Sequence, residues 1–364
     1  MFWWHHFGHA VHGIDVLRHK LKPFFSAVFR YYYCRLNFKV RIVKIKPVFV
    51  YKGEGLARYN FGESHPFGPE RHDAFHDELA NLSVENMIQI ERPTRAGVDQ
   101  LAMFHTSDYI DRVSRSSKDG QGFLDQGDTP AFVGVFEAAS DVVGTTLSAV
   151  DAVMQNEARR AFVPIGGLHH AMRDKAGGFC VFNDCGIAIE YLRENYGIAR
   201  VAYIDIDAHH GDGVFYSFKE DADLIFADIH QDGRTLYPGT GDSSETGSGE
   251  ATGTKLNIPL PPGANDEQFS KAWSKVEDYL IENKPEFILL QCGADSLAGD
   301  PITQLALTES SHGMAALSLC KIADRFCEGR IVAMGGGGYN LENIAKAWTA
   351  VVKSFLMETK KHEA

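Results

Sequence analysis

In the segment YIDIDAHHGDG, Asp207 and His209 stand two residues apart, so on an extended backbone their side chains project to the same side. Joined by Asp295 of QCGADS, they offer two carboxylates and an imidazole. Three such donors leave a coordination position open, the pattern of a catalytic rather than a structural zinc site. Taken alone, D-x-D-x-H also suits an ordinary polar strand end with Asp207 as a helix cap. A tandem pair, His169 and His170, follows Gly166–Gly167. Such a pair can act as general base and electrostatic partner when a carboxylate orients the far nitrogen of each ring. Asp205 and Asp212 flank the ligand pair and are candidates for that orienting role. Tyr339 follows Gly335–Gly338, where a phenol on a Gly-rich loop can donate to an oxyanion. These groups predict metal-activated water attacking a carbonyl, with His170 protonating the leaving amine. Amide hydrolysis is the matching reaction class. His210 is expected to pack or hydrogen-bond rather than ligate.

Other chemistries lack their residues. The glycine run is not followed by Lys-Ser/Thr, and no G-x-x-x-x-G-K or G-x-G-x-x-G occurs, which excludes a phosphate loop and a dinucleotide fingerprint. Six cysteines without a C-x-x-C pair form neither a disulfide framework nor a zinc ribbon, and they predict a reducing, cytoplasmic setting. Cys180 is expected to pack beside the site rather than to attack.

These candidates need rigid elements behind them. From Pro47 onward, short apolar runs alternate with helical periodicity, as in a parallel sheet flanked by helices. Strands are predicted at 47–51, 161–165, 200–206, 223–229, 286–291 and 330–334. They lack strict polar alternation, as strands buried on both faces do. Helices are predicted at 131–156, 184–195, 267–283, 308–328 and 342–357, and 239–253 reads as a surface loop. GGLHHA, DAHHGDG, CGADS and GGGGYN each follow a predicted strand. Ligands of open α/β sheets bind outside the carboxyl ends of the strands.

The 364 residues carry a net charge of −12, which disfavours nucleic-acid binding by a basic surface. That mean hides an asymmetry. Residues 1–46 hold nine Lys/Arg and one acid, while the remainder holds 27 basic and 47 acidic side chains. The expected organisation is therefore a basic, aromatic extension (1–46) outside the core and one catalytic domain (47–364). The extension also has the composition of a membrane-surface helix. Its five histidines have no accompanying carboxylate cluster and are not read as a metal site. No apolar run is long enough to span a bilayer.

GGLHHA…GGFCVFND, YIDIDAHHGDG, LYPGTG, QCGADSLAGDP and GGGGYN, in this order, resemble the zinc-dependent histone deacetylase superfamily over roughly residues 47–355. The LHHAMRDKAGGFCVFND variant looks most like the bacterial acetoin-utilisation deacetylases, which group with the class I-like enzymes. The resemblance implies an arginase-type α/β fold with a mostly parallel sheet of about eight strands, and hydrolysis of acetyl groups from an acylated amine. It implies zinc on Asp207, His209 and Asp295; His170 with Asp212 as base and acid; His169 with Asp205 as electrostatic partner; and Tyr339 on the acetyl carbonyl. It further implies an acyl-lysine channel of Gly178, Phe179 and Tyr237, and Arg71 guarding an acetate-release cavity. An inner potassium ion is implied at Asp205 and Asp228.

Three positions depart from the family's pattern. Leu168 stands where many eukaryotic class I members have Trp, Tyr237 where Phe is common, and Asp228 where a Ser usually helps bind the potassium. A carboxylate at 228 would either hold that ion more tightly or replace it by hydrogen bonding. The preferred substrate is acetyl-lysine in a protein, with small acetylated amines as the alternative. Acetylpolyamine hydrolysis is disfavoured because no large insertion interrupts 52–130. A dinuclear-manganese ureohydrolase lacks its fuller ligand set, and an inactive binding module would not keep all these groups. The Asp₂His set accepts iron(II) as well as zinc. Oligomeric state is not legible.

Overall fold

A computed structural model of the chain describes residues 47–82, 84 and 87–361, with side chains as far as Met357. The expected extension, 1–46, lies outside the described residues. Eight strands form one sheet: β1 (Val48–Tyr51), β2 (Ile88–Glu91), β3 (Arg160–Val163), β4 (Val201–Asp205), β5 (Ile225–Gln231), β6 (Lys255–Leu260), β7 (Phe287–Gln291) and β8 (Ile331–Met334). Their order is β2-β1-β3-β8-β7-β4-β5-β6, and every pairing is parallel. The architecture agrees with the deacetylase/arginase-like α/β fold expected from the sequence.

The four strands that carry the chemical segments, β3, β8, β7 and β4, are consecutive neighbours in the middle of the sheet. All of their residues are buried, as strands covered by helices on both faces must be. All five predicted helices form, at Val135–Met154, Asp184–Tyr196, Asp266–Asn283, Glu309–Phe326 and Leu341–Lys361. Side-chain caps mark where three of them start. Asn183, Asn265 and Thr308 each accept a backbone N–H from the first turn.

Two strands and two longer helices were not predicted. β2 (IQIE) and β6 (KLNIPL) are the sheet's edges, where polar residues and Pro259 obscure the apolar run. The helix Glu70–Asn81 buries Arg71, His72 and His76 alongside Phe75 and Leu79, so its inward face does not read as apolar. The helix Ser107–Asp119 begins on a Thr106 cap and ends at Gly120, which takes the left-handed conformation.

Trp348 links the last helix to the sheet. Its buried ring lies 5.8 Å from Phe75 and 6.1 Å from Phe162, and its Nε1 donates to the Cys292 carbonyl just past β7. Trp348→Ala is expected to lower stability by about 3–5 kcal/mol, from the cavity and the unpaired carbonyl together. Chemical denaturation checks this, and a loss under about 1 kcal/mol would contradict the packing described.

Candidate active site

The residues after β4 and β7 converge. His209 Nδ1 lies 3.0 Å from Asp207 Oδ1 and 3.1 Å from Asp295 Oδ2, and all three side chains are buried. Their ligand atoms lie within 4.8 Å of one another. The remaining carboxylate oxygens are fixed from behind. Asp207 Oδ2 accepts from Gln291 Nε2 and from the Gly337 N–H, each at 2.8 Å, and Asp295 Oδ1 accepts from the Ala208 N–H at 2.8 Å. Gly337 has to be a glycine here, since a Cβ would stand 2.1 Å from Asp295 Oδ2.

Burial and the neighbouring Asp207 charge push Asp295 up to about 7. Burial opposes charge on His209, but hydrogen bonds and charges from Asp207 and Asp295 raise it to about 10. Two buried carboxylates therefore have one ring proton as their internal countercharge. A divalent cation fits this donor set and would displace that proton on binding.

The tandem histidines stand beside the cluster, each with its own carboxylate. His169 Nδ1 is 2.8 Å from Asp205 Oδ2, His170 Nδ1 is 2.7 Å from Asp212 Oδ1, and the two Nε2 atoms are 3.1 Å apart. Their environments separate them. Burial disfavours charge on both. For His169, Asp205, Asp207 and Asp228 outweigh burial and raise it to about 9. For His170, the neighbouring His169 charge adds to burial and lowers it to about 4. At neutral pH these shifts favour the cation at His169 and leave His170 neutral, with its Nδ1–H donating to Asp212. Asn183 and Asp184 hold this loop. Asn183 Nδ2 donates to the carbonyls of His169 and Ala171, and Asp184 accepts from the Gly167 and Leu168 N–H groups.

Tyr339 sits on the loop after β8, its N–H donating to Asp300 Oδ2 at 2.8 Å. Burial, then Asp295 and Asp207, raise its phenol well above the ordinary value, so it remains a proton donor. Arg71 underlies the same loop. Its Nε donates to the Gly338 carbonyl and its Nη2 to the Gly336 carbonyl, while Nη1, buried, has no partner among the described residues.

The Phe179 ring meets the Tyr339 ring edge-on at 5.8 Å, and the Tyr237 ring meets His170 at 5.1 Å. Phe179 has φ 66°, a left-handed backbone uncommon for a bulky residue. Tyr59 and Thr129 hold it there: the Tyr59 hydroxyl donates to the Phe179 carbonyl, and the Phe179 N–H donates to Thr129 Oγ1. A Cβ on Gly178 would lie 2.3 Å from His170 Cδ2, so the chain passes close to that ring only because residue 178 is glycine. A cavity of about 680 Å³ opens beside His170, lined by Asp125, Asp128, Gly177, Asp212 and Tyr237 among others.

Every predicted site residue thus has a place at this end of the sheet, Asp228 lying one strand further out on β5 in register with Asp205. His210 bonds Thr240 through Nδ1, as a packing residue would. Cys180 is buried, and burial raises its thiol well above the ordinary value, so it is no nucleophile. Sequence reasoning missed Gln291, Asp300, Asn183 and Asp184. All four lie inside the quoted motifs, which was the available signal.

Two outcomes follow from this geometry. Gln291→Leu removes the amide donor from Asp207 and is expected to weaken divalent-metal binding by about 10- to 100-fold, read by metal titration. In ¹⁵N-histidine NMR at pH 7, His170 is expected as the neutral Nδ1–H tautomer and His169 as the cation. The base form of His170 should be lost only as pH falls towards about 4. Titration of His170 above 6.5 would contradict the assignment.

Comparison with known proteins agrees with this arrangement. Residues 65–355 match the histone deacetylase domain. The chain is 38% identical over 316 residues to the acetoin utilization protein AcuC of Bacillus subtilis (strain 168), covering 84% of this chain and 80% of that protein. It is 31% identical over 303 residues to histone deacetylase 8 of Danio rerio, covering 81% and 78%. It is 33% identical over 313 residues to histone deacetylase 1 of Homo sapiens, covering 84% of this chain but 63% of that longer protein. With a domain match over most of its length and relatives above 30% identity, the chain belongs to the histone deacetylase family.

Proposed function

We propose that this protein is a metal-dependent deacetylase that hydrolyses the acetyl amide on the ε-amine of lysine. One observation carries the reading. A three-donor cluster, two His–Asp pairs of opposite protonation and a protonated phenol meet at the ends of adjacent strands. Asp207, His209 and Asp295 would hold zinc, or iron(II) on the same donors. The bound ion supplies a polarised carbonyl and a nucleophilic water at neutral pH.

The chain's own groups do the rest. His170 Nε2 takes a proton and returns it to the departing amine, with Asp212 keeping its Nδ1 protonated. His169, held cationic by Asp205, supplies fixed positive charge next to developing oxyanion character. The Tyr339 hydroxyl donates to that oxygen. Gly178, Phe179 and Tyr237 guide the acyl-lysine stem, and the unpaired Nη1 of Arg71 suits the carboxylate of released acetate. Residues 47–364 are the catalytic domain and 1–46 a basic extension that the chemistry does not use. The acidic body favours cationic amine substrates, acetyl-lysine proteins or small acetylated amines, over nucleic acid. A cytoplasmic setting fits the five described cysteines, which are all free thiols.

The test compares turnover of an acetyl-lysine peptide with that of acetylspermidine, with metal content measured on the same sample. The peptide is expected to be the better substrate, and faster polyamine turnover would overturn that preference. Tyr339→Phe should lose about 10²–10³-fold in kcat with metal content unchanged. Unaltered turnover in this variant would refute the role of the phenol.

A further inference from the structure

One strand outside the catalytic pairs lies a third His–Asp pair, and it stands where the family resemblance places an inner potassium ion. Asp228 and His230 are two apart on β5, so they share a face, and both are fully buried. Asp228 Oδ1 is 2.6 Å from His230 Nδ1, and Asp228 Oδ2 accepts the Gly211 N–H at 2.8 Å. His230 Nε2 is 2.9 Å from the Gly241 carbonyl oxygen. A neutral imidazole donates through one nitrogen only. Here both nitrogens face oxygens that only accept, so the ring carries both protons and is a cation.

The neighbouring Asp205 is equally engaged. Its Oδ2 accepts from His169 Nδ1 and from the Tyr203 hydroxyl, and its Oδ1 accepts the Asp207 N–H at 3.1 Å. All four carboxylate oxygens of Asp205 and Asp228 are therefore held by protein N–H or O–H groups. Hard cations are held by cages of oxygens turned towards the ion. Here N–H and O–H donors already engage the side-chain oxygens at 205 and 228, so these two side chains do not present the free oxygens that a bound potassium takes.

We propose that the Asp228–His230 ion pair replaces the inner potassium ion implied by the family resemblance, making the stability and turnover of this chain independent of potassium. A serine at 228 would leave His230 without its counter-charge and would restore a hydroxyl to the cation position. The carboxylate at 228 is thus a positioning group, which ties the Gly211 N–H of the segment after β4 to His230 on β5.

The test uses the full chain dialysed into potassium-free buffer, with tetramethylammonium chloride keeping ionic strength constant. Bound potassium is measured by elemental analysis and the thermal midpoint by calorimetry, as KCl replaces the organic salt up to about 150 mM. Neither readout needs a substrate, so a failure of the deacetylase reading is distinguishable from a failure here. Expected are no stoichiometric potassium and a midpoint moving by less than about 1 °C, because an ion that does not bind the native state cannot stabilise it. Turnover should change by less than about twofold across the same series. One potassium per chain surviving dialysis, or a midpoint that climbs with KCl, would overturn the proposal. Asp228→Ser is expected to melt lower and to recover as KCl is added. Should the variant melt like the wild-type chain without potassium, the assigned role is wrong. If it does not fold, the wild-type measurements decide alone.

Discussion

Buried negative charge is the constraint around which this end of the molecule is organised. Asp184, Asp205, Asp207, Asp212, Asp228, Asp295 and Asp300 are all buried close to the carboxyl ends of the strands. An uncompensated buried carboxylate is severely destabilising, so each needs a partner of opposite sign or a set of N–H donors. The solutions differ from residue to residue. Asp184 is held by backbone N–H groups and Thr146, and Asp300 by the N–H groups of Ile302 and Tyr339. Asp205, Asp212 and Asp228 face histidines. Asp207 and Asp295 share one imidazole between them, and this shortfall of positive charge makes their cluster a place for a divalent ion.

The same constraint explains the loops. Carboxylates this deep can be reached by backbone N–H groups only if the chain comes close, and Gly337 lets the loop after β8 do so. Rigidity then spreads outward through long-range contacts. Tyr59 clamps residues 179 and 181 across more than a hundred positions of sequence, and Arg71 grips the glycine loop from the helix Glu70–Asn81. Phe179 is kept in its unfavourable conformation by these groups, with Phe61 and His65 packed against its ring.

How much of this was legible in the sequence depended on how local the cause was. The central strands announced themselves as apolar runs, and the chemical segments directly follow them, so the fold class and the site's location were readable. The edge strands β2 and β6 were not, because half-exposed residues such as Ile90 and interruptions such as Pro259 remove the apolar signature. The helix Glu70–Asn81 escaped because its buried face carries an arginine and two histidines, and Arg71 and His72 find partners in remote segments. Within the site, ligands and His–Asp partners could be paired by motif. The groups behind them could not: nothing in QCGADS tells that Gln291 reaches Asp207, 84 residues earlier. The pairing of Asp228 with His230 required the positions of His230, Gly211 and Gly241 together.

The strand order carries a consequence for how the protein is made. β8, the last in sequence of the described strands, inserts between β3 and β7 at the centre of the sheet, and the loop behind it supplies an N–H that fixes Asp207. A nascent chain that has already emitted both His–Asp pairs and the candidate metal cluster still lacks the strand that joins its two halves. Residues 331–334 must leave the ribosome before the centre can close. Until then two strand edges and a group of buried-to-be carboxylates stay open to water. Insertion of β8 is therefore the step that completes the centre, because the loop behind it carries Gly337 and Tyr339 to their carboxylate partners.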